Sequence, residues 1–304
     1  MAAKEKVVVT GGAGFIGSNL ASALVKEGYE VHVVDSLIAG KREKVPPEAI
    51  FHQVDILDTA ALGRIFKDAK FVFHEAAIPR VPYSIEHPAE SNTANIDGTL
   101  SVLIAAKDAK VGRVIYAASS SAYGNQERMP LVETMPAAPI HPYGLQKYVG
   151  ELYAKIFSDI YGLPTVSLRY FNVYGPGLDP NGPYALVIGK FLLQKKNGEP
   201  LTIVGDGTQT RDFTHVEDIV RANLLAAKSE KVGKGEVINI GSGHNVSVNA
   251  LADLFGGERT MLPARAEAHD TLADSTRAKE LLGWEPRVMF EDGIAELKRE
   301  WEII

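Results

Sequence analysis

The amino-acid sequence predicts an α/β fold: a doubly wound parallel sheet with helices on both faces, followed by a smaller C-terminal lobe. Three observations predict it. Short β-branched runs alternate with longer helical patterns through the first 171 residues. A glycine-rich turn, "TGGAGFIG", joins the first of these runs to the first helical pattern. Beyond residue 171 the regularity fades into "NVYGPGLDPNGPYA", rich in Gly, Pro and Asn, which reads as loop. Apolar strands separated by helices, rather than by tight turns, indicate a parallel sheet buried on both faces, the Rossmann arrangement.

The strands follow in order: "KVVVT" (6–10), "EVHVVD" (30–35), "AIFHQVD" (49–55), "FVFHEA" (71–76), "RVIYAAS" (113–119) and "TVSLRYF" (165–171). Helical patterns such as "GFIGSNLASALVKEG" and "GTLSVLIAAKDAKV" lie between them. Two later runs, "PLTIVG" (200–205) and "EVINIGS" (236–242), also read as strands. Residues 1–171, rejoined by about 213–241, are expected to form a nucleotide-binding domain. Residues 172–212 and 242–304 are expected to form a substrate-binding lobe over the carboxyl ends of the strands, where ligands bind in such sheets.

Composition narrows the function. The chain has 304 residues, 45% hydrophobic and 23% charged, with a net charge of -6 and both signs interspersed. An acidic chain without a basic patch is not built for nucleic acid or for an anionic membrane surface. With no cysteine, disulfides, thiolate catalysis and sulfur-held metals are excluded. The eight histidines show no metal-ligand spacing, so no metal is expected. No apolar run has the length of a membrane span or the pattern of a signal peptide. The expectation is a soluble, cytoplasmic protein.

Gly11, Gly14 and Gly17 stand between the first strand and the first helix. That order suits a pyrophosphate: Gly11 for a tight turn, Gly14 for close backbone approach, Gly17 for close helix packing, with the helix N-terminus facing the anion. Asp35 ends the second strand, 24 residues after Gly11. A carboxylate there hydrogen-bonds the adenosine ribose and repels a 2′-phosphate. Ser36 and Leu37 follow, with no Arg, so NAD is favoured over NADP. Asp55 and Ile56, ending the third strand, are placed to face the adenine.

In "RVIYAASSSAYG" a buried strand runs into Ser119, Ser120 and Ser121. Tyr143 and Lys147, four residues apart, share one helical face. Turned to the sheet's carboxyl edge, Lys147 can hydrogen-bond the nicotinamide ribose and lower the pKa of Tyr143 by its charge. The phenol then serves as a base near neutral pH, and a strand-end Ser hydroxyl relays the proton.

At this point the chain resembles the extended short-chain dehydrogenase/reductases, and among them the UDP-glucose/UDP-N-acetylglucosamine 4-epimerase type. "TGGAGFIGSNL", "HEAA", "NIDGTL", "ASSSAYG", "YGLQK", "RYFNVYGP", "GDGTQTRDFTHVED" and "LADSTRAKELLGW" match in order over nearly the whole chain. The resemblance implies that Gly11, Gly14, Phe15, Ile16, Asp35, Asp55, Ile56, Ala76, Ala77, Tyr143 and Lys147 contact NAD. It places the catalytic Ser/Thr on Ser119 or, with a one-residue shift, Ser120. It also implies that Asn172 touches the UDP-sugar and that Arg211 and Arg265 clamp its diphosphate.

Relatives that dehydrate sugars carry an Asp-Glu pair just after the catalytic Ser/Thr; here those positions are Ser120 and Ser121. Relatives that decarboxylate usually have a nearby Glu, where this chain has Ala122. One phenol base without a second acid suits oxidation and re-reduction of a hydroxyl, hence a 4-epimerase of UDP-hexoses acting through a transient 4-keto sugar. The alternative on the same fold is an NAD-dependent oxidoreductase or other modifying enzyme of a nucleotide sugar. A non-catalytic nucleotide sensor would be expected to lack Tyr143 or Lys147. Thr271 falls where the resembling enzymes line the sugar pocket, and its small size leaves room for an N-acetyl group. The chain departs from many relatives at Arg80 and Tyr83, and "PARAEAHD" is one residue shorter than their usual run. The helix after Tyr143 carries two apolar stripes, Leu145, Val149, Leu152 and Ile156 on one and Tyr148, Tyr153, Phe157 and Tyr161 elsewhere. One covers the sheet. Relatives pair such helices, so a homodimer is expected.

Overall fold

The computed structural model describes residues 4–180, 187–263 and 269–303. The first half runs β1 (Lys6–Thr10), α1 (Phe15–Lys26), β2 (Glu30–Asp35), β3 (Ile50–Gln53), α2 (Thr59–Phe66), β4 (Phe71–His74), α3 (Val81–Glu86), α4 (Pro88–Asn92), α5 (Gly98–Asp108), β5 (Arg113–Ser119), α6 (Pro142–Tyr161) and β6 (Thr165–Tyr170). A π-helical turn, Thr93–Asp97, links α4 to α5. The second half runs β7 (Val173–Tyr174), α7 (Val187–Asn197), β8 (Leu201–Val204), β9 (Thr210–Asp212), β10 (Thr214–His215), α8 (Val216–Lys228), β11 (Glu236–Ile240), β12 (Asn245–Ser247), α9 (Val248–Phe255), β13 (Arg259–Leu262), α10 (Thr276–Leu282) and α11 (Phe290–Glu300).

Seven strands form one sheet in the order β11-β6-β5-β4-β1-β2-β3, and every pairing in it is parallel. Strands alternate their side chains between faces, so a strand buried on both sides must be apolar throughout. Within β1, Val7 and Val9 join the core under α1 and α8, while Val8 joins the core under α2 and α5. The chain reverses direction across the sheet at β1, stepping to β2 on one side and later to β4 on the other. The strand ends diverge there and leave a crevice at their carboxyl edge. The third strand stops at Gln53, short of the expected residue 55, because the Asp55 carboxylate accepts the Leu57 N–H at 2.9 Å and turns the chain.

A second core lies beyond that edge. It gathers Ile188, Phe191 and Leu192 from α7, Leu201 and Ile203 from β8, Leu251 and Phe255 from α9, and Phe290, Ile294 and Leu297 from α11. Phe213 stacks on Phe290 with ring centroids 5.2 Å apart. Helix α8 and strand β11 pack with the main sheet, as do Ala278, Leu282 and Trp284. No helix among the described residues is long and apolar enough to cross a membrane.

Candidate active site

A cleft of about 1840 Å³ runs along the carboxyl edge of the sheet, between it and the second core. Its lining includes Gly11, Gly14, Phe15, Ile16, Asp35, Asp55, Ile56, Ala76, Ala77, Ser119, Ser120, Tyr143, Lys147, Asn172, Arg211 and Thr271. Of the residues singled out in the sequence for cofactor, chemistry or substrate, Arg265 alone lies outside the described residues.

The glycines are sterically required. Gly11 has φ +71°, and a Cβ there would sit 2.6 Å from the Ala76 nitrogen. A Cβ on Gly17 would lie 2.2 Å from the Gly11 carbonyl oxygen, so α1 could not start against the turn. Helix α1 begins with no side-chain cap and no acidic residue in its first turn. Its first N–H groups and dipole are therefore directed at the cleft, a cradle suited to an anion. Asp35 accepts the Ala13 N–H at 3.0 Å on one oxygen and the Leu37 N–H at 2.8 Å on the other. Each oxygen keeps acceptor capacity for a ribose hydroxyl, and the same bonds hold the glycine turn to the end of β2. Asp55 is exposed at the far end and Ile56 packs against Gly98. A dinucleotide fits this donor and acceptor set: anion cradle, ribose carboxylate and apolar floor in sequence along one crevice.

The chemical end is built by β5 and α6. Ser119 ends β5 and its hydroxyl accepts the Ser121 N–H at 3.1 Å. Helix α6 opens at Pro142, with His141 capping it by accepting the Gly144 N–H at 3.0 Å. The backbone N–H of Tyr143 is held by the Ser84 hydroxyl at 3.2 Å. Lys147, one turn on, is 4% exposed and donates to the Ala117 carbonyl at 2.9 Å. Burial pushes its pKa down to about 8, against the opposing pull of Glu75 and Glu151.

Several supporting groups were not legible in the sequence. Glu75 follows β4 into the cleft wall and accepts the Tyr170 hydroxyl at 2.8 Å; burial pushes its carboxyl up to about 7. Glu151 and Arg169 form a buried two-bond fork, at 2.8 and 2.7 Å. Asn95, in the π-helical turn, holds the Ile78 N–H at 2.7 Å and carbonyl at 3.0 Å and also donates to Gln146 at 2.8 Å. It fixes the loop after β4 to α6. The motif "NIDGTL" marked this position without revealing its task.

On the lobe side, Asn172 has φ +28° and donates to the Asp212 carbonyl at 2.9 Å and to the Thr271 hydroxyl at 3.2 Å. Thr271 also accepts the Asp212 N–H at 3.2 Å. Arg211, on β9, donates to the His269 carbonyl at 2.8 Å. Asp212 is fully buried. It accepts from the Ser242 N–H at 2.7 Å, the Ser242 hydroxyl at 2.7 Å, the Gly243 N–H at 3.0 Å and the Ala273 N–H at 2.9 Å. One carboxylate thus pins the loops at 242–243 and 273 to β9 at the lobe side of the cleft. Of the two departures, the first puts Arg80 and Tyr83 on the cleft lining, with the Tyr83 hydroxyl donating to Glu90, and the second, "PARAEAHD", lies largely outside the described residues. Among the described residues no group of His, Asp or Glu could hold a metal ion.

Residues 7–241 match the model of the NAD dependent epimerase/dehydratase family. Solved structures similar in fold and sequence include three described by their bound molecules. The UDP-glucose 4-epimerase of Thermotoga maritima, solved with UDP-glucose, is 40% identical with a TM-score of 0.93, covering 98% of each chain. The UDP-N-acetylglucosamine 4-epimerase of Methanobrevibacter ruminantium, solved with UDP-N-acetylmuramic acid, is 38% identical with a TM-score of 0.92, covering 99% of this chain and 98% of that one. The UDP-glucose 4-epimerase of Thermus thermophilus, in complex with NAD, is 33% identical with a TM-score of 0.90, covering 98% of this chain and 99% of that one.

Proposed function

Because this chain belongs to the NAD dependent epimerase/dehydratase family, we infer that it is an NAD-dependent 4-epimerase of UDP-hexoses. The observation that carries the reading is the cleft's chemical end. Ser119, Tyr143 and Lys147 line it, Ser120 and Ser121 follow where an eliminating enzyme needs an acid and a base, and Ala122 stands where decarboxylating relatives usually have a Glu.

Gly11, Gly14, Phe15 and Ile16 would hold the pyrophosphate of NAD, Asp35 the adenosine ribose, Asp55 and Ile56 the adenine, and Ala76 and Ala77 the middle of the molecule. Tyr143 and Lys147 would meet the nicotinamide ribose. When bound, NAD supplies a reversible two-electron acceptor for the carbinol carbon at C4 of the sugar. Lys147, as a cation, favours the phenolate of Tyr143. That phenolate removes the 4-hydroxyl proton as the ketone forms, and Ser119, or Ser120 one position on, shares the hydrogen bond. Tyr143 returns the proton when the ketone is reduced again. Inversion follows if the 4-keto sugar turns between the two events. Arg211 and Arg265 would hold the diphosphate meanwhile, leaving the sugar free to rotate. Asn172 and Thr271 would border the hexose. The small Thr271 side chain favours acceptance of N-acetylhexosamines beside plain hexoses. This division of labour matches a nucleotide-binding domain of 1–171 and about 213–241 and a substrate lobe of 172–212 and 242–304. The exposed stripe of α6 is proposed to pair two such chains.

The test is to incubate the purified protein with UDP-galactose, then with UDP-N-acetylgalactosamine, adding no NAD, and to follow the sugars by NMR. Conversion of both to the gluco forms is expected, and their rate ratio reports on Thr271. No conversion, even with NAD supplied, would move the reading to an oxidoreductase or another modifying enzyme of nucleotide sugars.

A further inference from the structure

Lys147 is a buried ammonium, and a buried cation needs a counter-charge. The groups facing it, and those behind them, come from five elements. From α6 itself come Glu151 and Tyr143. From β5 comes Tyr116, whose ring centroid lies 5.0 Å from the Lys147 nitrogen. From β4 and its end come His74 and Glu75. Behind these carboxylates, Arg169 of β6 bonds Glu151, Tyr170 of β6 bonds Glu75, and the neutral amide of Asn223 on α8 bonds the Tyr170 hydroxyl. His74 is bonded through both ring nitrogens, to Thr10 at 2.8 Å and Thr99 at 3.0 Å, and burial holds it neutral. Glu151 gives both carboxylate oxygens to Arg169, so most of its charge is matched there and its pull on Lys147 is weaker than that of Glu75.

Glu75 differs. The register of β4 on β5 pairs Phe71 with Arg113 and His74 with Tyr116. Glu75 follows His74 at the end of β4, as Ala117, whose carbonyl holds the Lys147 ammonium at 2.9 Å, follows Tyr116 on β5. The Glu75 carboxylate accepts the Tyr170 hydroxyl at 2.8 Å. Asn223 in turn donates to that hydroxyl at 2.7 Å and to the Ile219 carbonyl at 3.0 Å. Tyr170 and Asn223 thereby hold the carboxylate in place, and the Lys147 charge acts on it from the same strand end without a direct ion pair.

We propose that Glu75 is the counter-ion that keeps Lys147 protonated, a positioning residue for the Tyr143–Lys147 pair that Tyr170 and Asn223 hold in place. The proposal rests on the reading that Lys147 works as a cation. Its consequence is that charge on Glu75 sets how far into alkaline pH the pair stays competent. Burial pushes the Glu75 carboxyl up to about 7, so its ionisation falls within the range where such an enzyme works.

Glu75→Gln removes the charge and keeps an acceptor for Tyr170. The decisive readout is the titration of Lys147 in the holoenzyme, followed by NMR of ¹³Cε-labelled lysine, with Lys147→Met identifying the signal. The midpoint should fall by about 1 pH unit in Glu75→Gln, the size expected for losing one nearby opposite charge. The alkaline limb of kcat/KM should move with it. Tyr170→Phe removes the bond that favours the ionised carboxyl and should move the midpoint in the same direction. It serves as the test if Glu75→Gln does not fold. An unmoved midpoint overturns the counter-ion assignment even if the wild type epimerises UDP-sugars. A moved midpoint in a protein that epimerises nothing leaves the assignment standing and removes the functional reading.

Discussion

A phenol with an ordinary pKa near 10 is a poor base at neutral pH, so the role proposed for Tyr143 needs a neighbour that favours its phenolate. The structure supplies a buried ammonium one helical turn away. Burial lowers the Lys147 pKa to about 8. Its cationic form therefore exists below that pH and is lost above it. On this basis kcat/KM should decline on the alkaline side with a midpoint near 8, and a profile flat well beyond that would show that the lysine charge is not needed. Tyr143→Phe should cost about 10²- to 10⁴-fold in rate, the usual worth of a positioned base, with the NAD content of the purified protein unchanged; near-normal turnover would remove Tyr143 from the mechanism. Tyr143, Lys147 and Ser119 were legible in the sequence because each sits in a pattern: a spacing of four on a helix, a hydroxyl at a strand end. Glu75 was not. Its partner Tyr170 lies 95 residues further on, and its place one strand over from Ala117 depends on which strand neighbours which. No local period encodes that.

At the scale of elements, the sequence carried the order of strands and helices but not which face of α6 lies inward. The inward face is mostly small and polar: Gly144, Gln146, Lys147, Gly150, Glu151 and Ala154 are buried, with Phe157 the one large apolar residue among them. Gly150 is needed because a Cβ there would meet the Tyr116 hydroxyl at 2.1 Å. Of the two apolar stripes, the second supplies Phe157 and, partly, Tyr153 to the core, and the rest of the inward face brings charges to the site. The Glu151–Arg169 fork ties α6 to β6 where those charges lie. Removing one partner of a buried ion pair strands the other, so Arg169→Met should lower unfolding free energy by about 3–5 kcal/mol in urea titration. A loss below about 1 kcal/mol would mean that Glu151 simply takes up a proton, a course its burial already favours. Asp212 plays the matching part between β9 and the loops at 241–243 and 270–273. Asp212→Asn puts an NH2, which cannot accept, where one of the two carboxylate oxygens now accepts from backbone N–H groups. The expected result is a raised KM for the UDP-sugar with NAD content unchanged. An unchanged KM would show that the sugar end does not depend on that carboxylate.

At the scale of the molecule, the stripe that α6 turns away from the sheet remains. Leu145 is 50% exposed, Leu152 45%, Ile156 43%, Ile160 70% and Tyr161 54%. Scattered exposed apolar residues are ordinary, but a run of them along one helix marks a contact surface. The buried face of the same helix cannot be exchanged for it, since that face carries Lys147. A second copy of this chain presents the same stripe, and two such helices can pack face to face about a twofold axis. The protein should therefore elute from gel filtration at twice its 32.9 kDa chain mass. The double variant Leu152→Glu, Ile156→Glu should elute at the single-chain mass, because like charges would then face each other across the axis. Every residue assigned to the site comes from one chain, so the monomeric variant should keep its NAD and turn over UDP-galactose at a rate within a few fold of the wild type. A wild type that already elutes at the single-chain mass would sink the dimer. A monomeric variant that cannot hold NAD would show instead that pairing is what keeps α6, and with it Tyr143 and Lys147, seated against the sheet.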